Sequence, residues 1–97
     1  MPNQIDAKQL QAANDALVAF GSARSYAESM RVCRDYRDAL LSDAALLLVE
    51  QRIADGRASG DESGAAQLAR TYYELRSRLE SPEFMELVHS VLAREQP

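Results

Sequence analysis

His89 is the only histidine in the chain and Cys33 the only cysteine, so most reactive-group chemistry would have to pass through one of them. A lone His on a helix in a domain of this size suggests phosphotransfer. Bundles that do this have Lys and Gly close behind the His, whereas Ser90-Val91-Leu92-Ala93 follow here. Glu86-Leu87-Val88-His89 has the Glu-x-x-His spacing used in di-iron bundles. Such a site needs two of these motifs and two further Glu on facing helices. Only this one occurs, so the spacing is read as chance and no metal site or cofactor is expected. Cys33 falls on an apolar helix face with Tyr26 and Met30, the setting of a Cys that acts as a small hydrophobe. A nucleophilic Cys needs a His beside it, and His89 lies 56 positions away. No catalytic residue is therefore expected.

The remaining candidates are binding residues. Arg70, Arg76, Arg78 and Arg94 could clamp an anion, but Glu74, Glu80 and Glu86 are spaced to pair with them. Glu74 to Arg78 is the favourable i, i+4 order. In Tyr72-Tyr73, adjacent helix positions diverge by about 100°, so one ring points inward and the other out. Tyr72 belongs to a leucine stripe, which leaves Tyr73 as a candidate exposed aromatic anchor.

Helices must position these groups. Among 97 residues are 16 Ala and 12 Leu against 8 of Val, Ile and Thr together. Unbranched side chains lose little rotamer freedom in a helix. A first helix is predicted from about Gln4 to Phe20, capped by Asn3, with Asp6 in its first turn and Gly21 as its stop. Its stripe is Leu10, Ala13, Leu17 and Phe20. A second opens on the capping box Ser25-Tyr26-Ala27-Glu28 and ends between Asp35 and Arg37. Asp38 to Leu41 reads as a turn with Leu40 and Leu41 inward. Ser42-Asp43 opens a third helix reaching about Ser59, with Gly60 as a left-handed stop. Gly56 inside it marks either close helix contact or a weak last turn. A fourth helix begins at Asp61, with Leu68, Tyr72, Leu75 and Leu79 as its stripe. So short a connection makes helices three and four an antiparallel hairpin. Ser81-Pro82-Glu83 starts a fifth, with Phe84, Val88, Val91 and Leu92 along one side.

Several pieces resemble a known segment: Ser25-Tyr26-Ala27-Glu28-Ser29, Leu40-Leu41-Ser42-Asp43-Ala44, Arg57-Ala58-Ser59-Gly60-Asp61 and Leu75-Arg76-Ser77-Arg78-Leu79. From about Phe20 to Glu80 the chain is similar to a helical segment of large bacterial proteins. There it lies beside tetratricopeptide-like repeats and caspase-like (CHAT) protease domains. No protease domain fits in this chain. The family's Gly and Ala-Phe ending is replaced by Ser81-Pro82-Glu83-Phe84. What the resemblance implies is a helical scaffold or binding role in a bacterial protein, with no reaction attached.

Composition narrows the partners. Eleven cations and fifteen anions give a net charge of -4, without a basic platform in either half, so nucleic acid is not an expected partner. The longest apolar run, Ala44 to Val49, is far too short to span a membrane. A single Cys and an N-terminus without a basic-then-apolar pattern predict a cytoplasmic protein. The expectation is one all-α domain over residues 1–97, an array or bundle of four to five antiparallel helices with tetratricopeptide-like hairpins. Its expected role is non-enzymatic protein–protein interaction or scaffolding. A small regulatory or accessory protein holding a ligand between its helices is the alternative. The third helix carries Leu46, Leu47, Leu48, Val49 and Ile53, more apolar surface than one stripe. A homodimer is expected to cover it, with Leu47 and Leu48, or Phe84 and Val88, in the interface.

Overall fold

The computed structural model describes residues 5–95, and these form six helices with no strand among them. They are α1 (Ala7–Ser22), α2 (Tyr26–Asp35), α3 (Arg37–Leu40), α4 (Asp43–Ala58), α5 (Glu62–Leu79) and α6 (Pro82–Glu95). No helix of the described residues is long and apolar enough to cross a membrane. The all-α expectation is met, with one helix more than expected.

Caps explain most boundaries. α1 starts at Ala7, because Asp6 and not Asn3 is its cap. The Asp6 carboxylate accepts from the Gln9 amide at 2.9 Å, and Gln9 Oε1 accepts from the Asp6 amide at 2.9 Å. Asp6 has a Gln three residues on, which closes a capping box; Asn3 does not, and the predicted cap lies outside the described residues. α1 also runs past Gly21 to Ser22 and stops at Ala23, whose backbone is extended. At α2, Ser25 Oγ accepts from the Glu28 amide at 3.1 Å. Glu28 reaches one residue further back than a capping box requires, accepting from the Arg24 amide at 2.7 Å.

The predicted turn after α2 is itself one turn of helix, α3, with Leu40 fully buried and Leu41 partly so. α4 is capped by Ser42 and closes on Gly60, which takes the left-handed φ of +89° expected of it. Gly56 marks close contact. A Cβ placed there would lie 3.3 Å from the Ala65 Cβ, so α4 and α5 approach where both have little or no side chain.

α4 packs on α5 and on α1, while α2 packs on α6. This produces two apolar clusters. One is alanine-rich: Ala13, Ala44, Ala45, Val49, Ile53, Ala65 and Tyr72 join α1, α4 and α5. The other holds Met30, Cys33, Leu40, Leu75, Leu79, Val88 and Leu92, drawn from α2, α3, α5 and α6, with Ala16 of α1. Leu17 packs against both. Two side-by-side clusters make a slab, 47 × 36 × 21 Å, and its thinnest dimension is about two helix diameters.

Polar ties from α3 hold the clusters in register. Tyr72 donates its hydroxyl to the Leu40 carbonyl at 2.8 Å and accepts from Arg76 at 3.1 Å. Arg37 Nε donates to the Leu79 carbonyl at 2.9 Å, satisfying an acceptor that the C-terminus of α5 leaves open.

Candidate functional site

A half-open apolar groove of about 530 Å³ lies between α2, α5 and α6. Met30 and Cys33 of α2, Leu75 of α5 and Phe84 of α6 form its apolar lining, with Phe20 of α1 at one side. Thr71, Glu74 and Arg78 of α5, with Ser29 of α2, supply its polar atoms. Tyr26 and Leu87 complete the lining and stand out from it, 61% and 49% exposed. A second cavity of about 260 Å³, lined by Leu17, Val49 and Leu68, shares Phe20, Thr71 and Leu75 with the first. Together their linings follow α5 from Leu68 to Arg78, ten rises of 1.5 Å or about 15 Å.

Helix geometry explains the groove. Tyr26 is the first residue of α2 and shares a face with Met30 and Cys33 as expected, but at the helix end its ring extends past its neighbours into solvent. Leu87 is a residue that the sequence reading missed. Val88 occupies the core, and Leu87 lies about 100° round the helix from it. Phe84, Leu87 and Val91 form a second apolar stripe at i, i+3, i+7, and that spacing was the available signal.

The expected interaction residues do not come together. Phe84 lines the groove. Val88 is fully buried beneath it, which removes it from any surface and corrects its expected interface position: α6 turns this residue onto the α2–α5 cluster. Tyr73 is 45% exposed and lines a shallow separate cavity with Ile53, Ala54 and Arg57. Its ring meets that of Tyr72 edge-on at 5.8 Å, and Tyr72 is buried, so the inward–outward pair is as expected. On α4, Leu47 is 38% exposed while Leu48 is half-buried against the alanine-rich cluster.

The charged groups also differ from expectation. Arg76 pairs with Glu80 at 3.6 Å, the partner foreseen in part for it. Glu74 and Arg78 make no ion pair within 4.0 Å among the described residues, although their spacing predicted one; both line the groove instead. Arg70 and Arg94 are exposed on α5 and α6.

His89 and Glu86 are both exposed. Among the described residues, no three His, Cys, Asp or Glu side chains gather closely enough to hold a metal ion. Cys33 lies in the groove floor with its thiol pushed above the ordinary cysteine range by burial, an effect that the nearby Arg78 only partly offsets. The thiolate is the reactive form, so Cys33 is expected to react with a disulfide reagent much more slowly in the folded protein than in denaturant. Equal rates by absorbance in both conditions would contradict this placement.

No protein-family model, curated protein or solved structure matches the chain.

Proposed function

We propose that this chain is a non-enzymatic helical protein–protein interaction or scaffold module, a tetratricopeptide-like array of antiparallel hairpins whose binding surface is the α2–α5–α6 groove. The observation that carries this reading is the pair of large apolar side chains, Tyr26 and Leu87, left in solvent on an apolar groove. Exposed apolar groups that cluster along a concavity mark association surfaces, whereas isolated ones do not. Linings that follow α5 for about 15 Å match the i, i+3/4, i+7 anchors of a helix laid along them. The likeness to segments beside bacterial caspase-like proteases supports the same reading, as does a net charge of -4, which disfavours nucleic acid. The single buried Cys accords with a cytoplasmic setting.

The groove's volume also falls within the range of small-molecule sites. That favours, as a second reading, an accessory protein that binds a ligand between its helices.

Affinity capture from the source cells tests the first reading. Wild-type chain and His89→Ala should each retain a stoichiometric protein, either another copy or a different one. Leu87→Glu, with unchanged helicity, should lose it. Capture that is indifferent to Leu87→Glu, or biological activity lost in a folded His89→Ala, would overturn the reading. A small molecule that raises the melting temperature of the wild type but not of Leu87→Glu would favour the second.

A further inference from the structure

We propose that the occupant of the groove is a second copy of this chain, docked about a two-fold axis so that Glu74 of each copy pairs with Arg78 of the other. The proposal rests on the reading of the groove as a protein-binding surface and names its partner. Glu74 and Arg78 lie one turn apart on α5, both line the groove, and neither has an ion-pair partner within 4.0 Å among the described residues. A two-fold axis passing between them brings each Glu74 onto the opposing Arg78. Two ion pairs then form from a single i, i+4 unit. An isologous interface requires this property, because residue i must meet j and j must meet i. A foreign partner would set no such condition on the groove's own charges. Leu87 and Tyr26, exposed on the rim of the same groove, are apolar surface that such a contact would cover.

Sedimentation equilibrium over the micromolar range, on the wild type and two charge variants, tests the proposal. The wild type should approach twice 10.7 kDa as concentration rises. Glu74→Arg and Arg78→Glu each place like charges at both contacts, and each alone should weaken self-association by at least about tenfold. Mixed in equal amounts they should associate again, because one copy then offers two Arg to the other's two Glu. All these positions are exposed, so circular dichroism and melting temperature should be unchanged. A wild type that stays at 10.7 kDa throughout, a dimer indifferent to both single variants, or a mixture that fails to associate would each overturn the proposal. If the wild type is monomeric and Leu87→Glu still abolishes capture of a different protein, the second copy is refuted and the protein-binding groove stands. If Leu87→Glu affects neither, both fall.

Discussion

Leu79→Ala is expected to destabilise the fold by about 2 to 5 kcal/mol, a large share of what a domain this small possesses. Leu79 is fully buried at the C-terminus of α5, in the cluster that includes Leu40, Val88 and Leu92. Truncation there removes several buried carbons and leaves a cavity that the surrounding helices cannot easily close. α5 is held at this point by the bond from Arg37 to the Leu79 carbonyl, and α3 by its own ties to α5. Leu75→Ala should cost less, near the lower end of the same range, because Leu75 borders the open groove and part of its side chain has no opposing wall. Urea titration of both variants against the wild type measures the difference. A loss under about 0.5 kcal/mol for Leu79→Ala would be inconsistent with full burial.

Tyr72→Phe is expected to cost about 1 to 3 kcal/mol, although it removes a single oxygen. The Tyr72 hydroxyl is the donor to the Leu40 carbonyl and the acceptor for Arg76. Without it the Leu40 carbonyl stays buried and unpaired. The same hydroxyl gives stability an alkaline limb. Burial raises its pKa above the usual tyrosine value, with the Arg76 hydrogen bond opposing that rise. Only the protonated phenol can donate to Leu40. On raising the pH, the unfolded chain therefore ionises at this position before the folded one does. The Tyr72 contribution should be complete below about pH 10 and lost as pH rises through the folded pKa. The stability difference between wild type and Tyr72→Phe should thus shrink above about pH 10, since the substitution changes no other tyrosine. A difference that is constant or growing there would place the hydroxyl in water.

Both residues lie on the stripe Leu68, Tyr72, Leu75, Leu79, the most regular one in the sequence, and it became the seam between the two clusters. Helices α4, α5 and α6 were legible because each begins at a side-chain cap and α4 ends at a glycine that needs a left-handed φ. These signals are local, acting within four residues of the boundary. The same logic misplaced the start of α1, where two cap-forming residues compete and only Asp6 has the reciprocal Gln9. It also read α3 as a turn: one helical turn carries too few residues to show a period, and burial of Leu40 and the Arg37 bond to α5 hold it.

The groove was less legible. Phe84 is among the expected residues and does line it, but the stripe through Val88 hides the second one, Phe84, Leu87 and Val91, that α6 also carries. Which stripe is covered depends on where α2 crosses α6, a tertiary fact that no spacing within α6 contains. Likewise, the i, i+4 rule placed Glu74 and Arg78 near each other and correctly on one face. It could not say that the face would border a concavity instead of a flat, solvated surface.

The central claim is that the α2–α5–α6 groove is where this protein meets another. Site-specific photo-crosslinking in the source cells tests it most directly, with a benzoylphenylalanine placed in turn at Leu87, at Tyr73 and at Leu47. All three positions are at least partly exposed, so each probe samples its own face without disturbing the core. A defined protein adduct from position 87, with none from 73 or 47, is the predicted result. Its mass distinguishes a second copy from a different partner. Adducts from 73 or 47 with none from 87 would contradict the account and move the interface to the outer faces of α4 and α5.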